Sequence, residues 1–121
     1  MKRIPDSELE LMMIIWDAGK AVTSDHIMQR IDRDWTKTTV LNLLSRLCSR
    51  GFLECRKEGR HNIYTALVDR DEYLKEESRS FLRRMYHNSL TKLVASLYDG
   101  NSVSKEDLAE LKSFIEEAEN D

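Results

Sequence analysis

The residues with the clearest chemistry lie along one predicted helix. Residues 35–51 read WTKTTVLNLLSRLCSRG and contain no carboxylate. At about 100° per residue, four apolar residues converge on one side: Val40, Leu43, Leu44 and Leu47. The opposite side, with Arg46 at its edge, carries short polar residues: Thr38, Asn42, Ser45 and Ser49. A solvent-exposed helix face more often carries Glu and Lys pairs. A polar face without acids suits a polyanion, because carboxylates repel phosphates.

The same polar residues are suited to contacting DNA. Asparagine can pair with an adenine edge, arginine with guanine, and threonine or leucine can touch a thymine methyl group. The start of the helix offers free amides and the positive end of the helix dipole to a phosphate. We predict that base edges or nearby phosphates are contacted by Thr38, Thr39, Asn42 and Arg46. We predict that the DNA backbone is contacted by Lys37, Ser45 and Arg50.

Three helices and a hairpin are predicted to position this face. Asp6 or Ser7 can cap a first helix, and Thr23 and Thr36 can cap the next two. The apolar residues at helical spacing in the first helix are Leu9, Met12, Met13 and Trp16. A short helix, a tight loop and a further helix is the order of a helix-turn-helix. The segments FLECRKEG and RHNIYTALV read as two strands joined by a tight turn at Glu58-Gly59.

A hairpin directly after the third helix predicts a wing. Arg60 and His61 lie just past its turn, where an arginine can reach the minor groove or the DNA backbone. The predicted fold class is mainly α with a small β-hairpin wing (α+β). It is a winged helix-turn-helix in residues 1–69 followed by C-terminal dimerisation helices in residues 70–121. The alternative is a helix-plus-hairpin module that binds protein, an adaptor without specific DNA binding.

The charge distribution agrees with a local anionic partner. The formal net charge is −3. Residues 35–64 nevertheless contain six basic and two acidic residues: Lys37, Arg46, Arg50, Arg56, Lys57 and Arg60 against Glu54 and Glu58. A basic island in an acidic chain indicates an anionic partner at that place. A solvated charged surface is the alternative.

The last fifty residues are predicted to mediate association. A helical pattern begins near Asp69 and continues to Tyr98, and Ser104 with Asp107 resembles a capping box for a last helix. Two apolar stripes without a third element to cover them usually mark an interface, and a homodimer is the commonest solution. The alternative is that the stripes fold back on the N-terminal part. The predicted dimerisation residues are Phe81, Leu82, Met85, Leu90, Leu93, Leu97, Leu108, Leu111 and Ile115.

Other chemistry finds little support in the sequence. The three histidines form no i, i+4 pair, and two thiols, Cys48 and Cys55, alone make a weak metal site. We expect no catalytic residues, no metal and no cofactor, and a thiol switch is a minor alternative. No apolar run approaches the roughly 20 residues of a membrane span. We therefore expect a cytoplasmic chain with free thiols and no membrane partner.

The chain resembles the penicillinase-repressor family, the winged-helix repressors that include BlaI, MecI and CopY. The resemblance rests on the order and spacing of SELELMMIIWDAG, WTKTTVLNLLSRLCSRG, FLECRKEGRHNIY and EYLKEESRSFLRRMYHNSL. It implies a dimeric repressor of the β-lactam-resistance type on an inverted-repeat, double-stranded operator. The third helix would enter the major groove, and the C-terminal helices would hold the dimer.

Three departures from the family pattern are visible. Leu41-Asn42 stands where members often carry Lys-Thr, so we expect the operator bases read there to differ from those of the family. The β-lactam-responsive members are inactivated by a protease at an Asn-Phe bond, which is replaced here by Ser96-Leu97. An inactivating protease would therefore need another specificity. The copper-responsive members carry Cys-x-Cys motifs near the C-terminus, and this chain has none.

Overall fold

The structure is a computed structural model that describes residues 2–121. The chain forms two compact units, one ending at Glu76 and the other spanning Glu77–Asp121. The first unit contains α1 (Asp6–Ala18), β1 (Val22–Thr23), α2 (Ser24–Arg30), α3 (Lys37–Ser49), β2 (Leu53–Glu58) and β3 (His61–Ala66). Next come α4 (Arg70–Tyr86), within which the unit boundary falls, α5 (Leu90–Asp99) and α6 (Lys105–Glu119). The predicted class, mainly α with a winged helix-turn-helix, is confirmed.

The wing is an antiparallel hairpin completed by a third, very short strand. The strand order is β1-β3-β2, and Glu58 at the end of β2 pairs with His61 at the start of β3. The turn is therefore Gly59-Arg60, with Gly59 at φ 60°. The predicted turn at Glu58-Gly59 was wrong by one residue, because the strand pairing extends to Glu58. Two residues of β1 are too few to give an alternating pattern that the sequence could display.

The core of the first unit lies where α3 was predicted to bury its apolar side. Val40, Leu43, Leu44 and Leu47 are all buried, as predicted. The predicted stripe of α1 was wrong in part, because its buried residues are Glu8, Leu11, Met12 and Ile15. Because the buried row includes the charged residue Glu8, the spacing of apolar residues in the sequence does not reveal it. On the neighbouring side of α1, Trp16 is half-buried and its Nε1 donates to the carbonyl of Val68 at 2.9 Å.

Helix starts follow the side chains that can accept amide hydrogen bonds. Thr23 accepts from the amide of His26 and Thr36 from that of Thr39, so both predicted caps are confirmed. The predicted cap of α1 was wrong. Pro5 occupies that position without a side-chain hydrogen bond, and Asp6 is the first helical residue.

The second unit departs from the predicted continuous helix. His87 and Asn88 adopt φ values of 49° and 67°, which end α4 before Tyr98. Ser89 then caps α5 by accepting from the amide of Lys92. The capping box of α6 is confirmed, and the hydrogen bonds from the backbone amide and hydroxyl of Ser104 lower the pKa of Asp107. No described helix is long and apolar enough to cross a membrane.

Candidate nucleic-acid interface

The polar side of α3 is exposed as its amino acids predict. Thr38, Asn42, Ser45 and Arg46 are exposed, and Thr39 is half-buried. The burial of four apolar residues on the other side fixes the rotation of the helix, so these side chains must face outward. The arrangement presents hydroxyls, an amide and a guanidinium in a row without an acid. Such a surface can donate to phosphate oxygens and pair with base edges.

The N-terminus of α3 carries further donors. Thr36 Oγ1 lies 3.1 Å from Thr39 Oγ1, so the two hydroxyls and the capped amide of Thr39 form one cluster. Lys37 lies beside this cluster, and its Nζ is 3.6 Å from a carboxylate oxygen of Asp25. Both partners are mostly exposed, and such surface pairs contribute little. Lys37 can therefore turn from Asp25 to a phosphate at small cost.

The two arginines of α3 have different surroundings. The guanidinium of Arg46 has no hydrogen-bond or ion-pair partner among residues 2–121. Arg50 follows the last helical residue, and its Nη1 donates to Oε1 of Glu8 at 3.0 Å. Glu8 is only 2 % exposed and the Arg50 side chain 40 %. Arg46 is thus available to a ligand, whereas Arg50 already holds a buried carboxylate.

The wing presents two different faces. Strand alternation places Leu53, Cys55 and Lys57 on one face, and the register adds their partners Ala66, Tyr64 and Asn62. Leu53 and Tyr64 are buried, and this face packs against α3. Lys57 and Asn62 therefore extend the α3-facing side toward the tip of the wing. Arg60, in the turn, is exposed at the tip, and His61, which pairs with Glu58 on the opposite face, is exposed at the tip as well.

All nine residues predicted to contact DNA lie in the first unit, on α3, at its C-terminal end or at the tip of the wing. Lys57 and Asn62, which lie on the α3-facing side of the wing, were not among the predicted residues. The signal that could have found them is the two-residue period of β2 and β3, read outward from the buried pair Leu53 and Tyr64. Glu8 was missed as the partner of Arg50, because a glutamate near the start of a helix usually faces solvent.

The second unit carries an apolar groove. Six of its lining residues come from α5 and three from α6, and its volume is about 470 Å³. Its lining includes four of the predicted dimerisation residues: Leu90, Leu108, Leu111 and Ile115. Phe81, Met85 and Leu97 are exposed elsewhere in this unit, and the rings of Phe81 and Tyr86 are 6.0 Å apart. The remaining two predicted residues, Leu82 and Leu93, are half-buried.

A family model described as "Penicillinase repressor" matches residues 4–117. The chain belongs to the penicillinase repressor family. A penicillinase repressor from Bacillus licheniformis is 33 % identical in an alignment of 125 positions, which covers 99 % of this chain and 97 % of that protein. The family is one of transcriptional repressors, and the resemblance drawn from the sequence is confirmed.

Solved structures of the penicillinase repressor family match about 60 % of the chain. The DNA-binding domain of the repressor BlaI is 32 % identical, covers 60 % of this chain and 94 % of its own, and gives a TM-score of 0.52. The monomeric form of Bacillus licheniformis BlaI in complex with the blaP half-operator is 31 % identical. It covers 60 % of this chain and 89 % of its own, with a TM-score of 0.51.

Proposed function

We propose that this chain is a sequence-specific DNA-binding repressor that binds an inverted-repeat operator as a homodimer. The observation that carries the proposal is the acid-free exposed face of α3, with an unpartnered Arg46 at its edge. The relation to a BlaI structure with a half-operator supports DNA as the ligand. In this proposal α3 enters the major groove, which has the width of a helix.

The wing supplies the second contact in this proposal. Lys57, on the α3-facing side of the wing, and Arg60 and His61, at its tip, approach the backbone or the minor groove beside α3. Lys37 and Ser45 contact phosphates along the helix, and Thr38, Thr39 and Asn42 meet base edges. Arg50 contributes to the site mainly by pairing with the buried Glu8 carboxylate and less by contacting DNA.

We propose that the second unit supplies the dimer contact. The α5–α6 groove is apolar, and large side chains such as Leu90 and Ile115 are about half exposed on it. Exposed apolar patches of this kind are typical of protein interfaces. A two-fold dimer would place two α3 helices on successive half-sites, one helical turn of DNA or a multiple apart. A protease that relieves repression would cut in the same unit, where Ser96 and Leu97 are exposed on α5.

Fluorescence anisotropy on the chain's own upstream region, beside a scrambled duplex, tests the proposal. We expect tighter binding to the upstream region, and a log affinity that falls steeply with log salt because phosphate contacts release counterions. Equal, weak binding to both duplexes with a shallow slope would contradict the proposal and favour a protein-binding adaptor.

A further inference from the structure

Both cysteines of the chain line one cavity beside the proposed DNA-contacting surface. The cavity has a volume of about 280 Å³ and lies between α3 and the wing. Cys48 comes from α3 and Cys55 from β2, and neither forms a disulfide. The other lining residues are Leu41, Ser45, Asn62 and Tyr64.

The strand register and the period of the helix explain why the two cysteines line the same cavity. Cys55 lies opposite Tyr64 on the face of the wing that packs on α3. On α3, Leu41, Ser45 and Cys48 follow one another at four and three residues, so they share one flank. The wing face therefore covers that flank, and the two thiols approach from opposite walls of the cavity.

The two thiols differ in their exposure, which gives them different roles in a reaction with an oxidant. Cys55 is exposed, so a dissolved oxidant can reach it. Cys48 is half-buried, and burial together with the nearby Cys55 raises its pKa. Burial also raises the pKa of Tyr64, and the neighbouring Cys55 contributes in the same direction. The Tyr64 hydroxyl and the two thiols are therefore close enough across the cavity to interact electrostatically.

We propose that Cys48 and Cys55 form an oxidation site that a hydroperoxide converts into a disulfide between α3 and the wing. The Cys55 thiolate attacks the peroxide oxygen, which forms a sulfenic acid and releases an alcohol, or water from hydrogen peroxide. Cys48 then attacks the Cys55 sulfur, and the sulfenic hydroxyl leaves as water. Each sulfur loses one electron, and the peroxide takes up both.

The disulfide would lower DNA affinity, a consequence that rests on the proposed function. A disulfide requires its two Cα atoms to lie about 4.4–6.8 Å apart, so the bond would hold the wing in one position against α3. Both elements are needed on DNA at once in the proposed complex. We expect oxidation to weaken binding about tenfold, as for the loss of one base or phosphate contact.

Peptide mapping of the full chain tests the disulfide without DNA. Trypsin cleaves after Arg46, Arg50 and Arg56, so after treatment with hydrogen peroxide peptides 47–50 and 51–56 remain joined only by the proposed bond. We expect that linked pair in non-reduced digests and its loss with a thiol reductant. Separate peptides, or a chain-to-chain disulfide on a non-reducing gel, would overturn the proposal.

The Cys55→Ser and Cys48→Ser variants complete the test. Both should bind the upstream duplex as the reduced parent does and lose the effect of peroxide. In Cys48→Ser, a dimedone adduct should appear on Cys55. A linked peptide pair with unchanged DNA affinity would overturn the switch, whereas failure of the reduced parent to bind DNA would refute the proposed function and not the disulfide.

Discussion

The guanidinium of Arg50 is joined to the buried carboxylate of Glu8 at 3.0 Å, across 42 positions of sequence. The bond connects the first turn of α1 with the end of α3. A buried charge is tolerated only when it is paired. The C-terminal end of the proposed recognition helix is thereby fixed to α1.

Arg50→Ala should destabilise the fold. The substitution leaves Glu8 buried without its partner, and we expect the free energy of unfolding to fall by about 2 kcal/mol in urea denaturation. The value is below that of a fully buried pair, because water can reach the half-exposed side of the site. In a Glu8→Gln background the same substitution should cost less than about 1 kcal/mol, since an amide needs no counter-charge. Equal costs in both backgrounds would show that the pair carries no coupling.

Arg46→Ala should weaken DNA binding and leave the stability of the fold almost unchanged. We expect specific DNA binding to weaken by about 1–3 kcal/mol while the free energy of unfolding changes by less than about 0.5 kcal/mol, because the guanidinium has no partner among residues 2–121. Anisotropy and urea denaturation on the same preparation measure both quantities. Unchanged affinity would remove this face of α3 from the DNA interface.

Lys57→Ala tests the face of the wing directed toward α3. The slope of log affinity against log salt should become shallower by about one unit, because one phosphate contact is lost. Arg56→Ala is the matched control. Arg56 is the preceding residue of β2, lies on the other face and has Glu58 within 4.0 Å. A larger effect at Arg56 would mean that the opposite face of the wing meets the DNA.

Replacing Leu111 and Ile115 by Asp should convert the proposed dimer into monomers. Both residues line the α5–α6 groove, and a buried carboxylate in an apolar interface is strongly unfavourable. Sedimentation velocity measures the change, and Ser113→Asp, exposed on the same helix but outside the groove lining, is the control. A double variant that still sediments as a dimer would move the interface to the exposed side chains between Phe81 and Leu97.

Most of the first unit could be predicted because its signals are local. Thr23 and Thr36 cap their helices through their own hydroxyls, and the buried row of α3 consists of four aliphatic residues at helical spacing. The exposed polar face of α3 follows directly, since burying one side of the helix determines which side is exposed. The position of Arg46 at its edge needs no knowledge of distant residues.

The features that escaped prediction depend on distant partners or on backbone geometry. Glu8 reads as a solvent-exposed acid until Arg50 is brought to it by the packing of α1 and α3. The break after α4 rests on positive φ values at His87 and Asn88, residues that a helix also accommodates. The face of the wing on which Lys57 lies depends on the exact pairing of β2 with β3, and the predicted turn was misplaced by one residue.

The contacts of Tyr73 limit where the chain can be shortened without disturbing the core of the first unit. Its hydroxyl oxygen accepts from the amide of Ile4 at 2.8 Å, and its ring lies 5.8 Å from that of Trp16 and 6.3 Å from that of Phe52. A fragment that stops after the wing, at residue 69, lacks this ring and leaves the amide of Ile4 without its acceptor. A fragment that continues through Glu76 keeps both, so a fragment that preserves the packing of the first unit must extend into the first turns of α4.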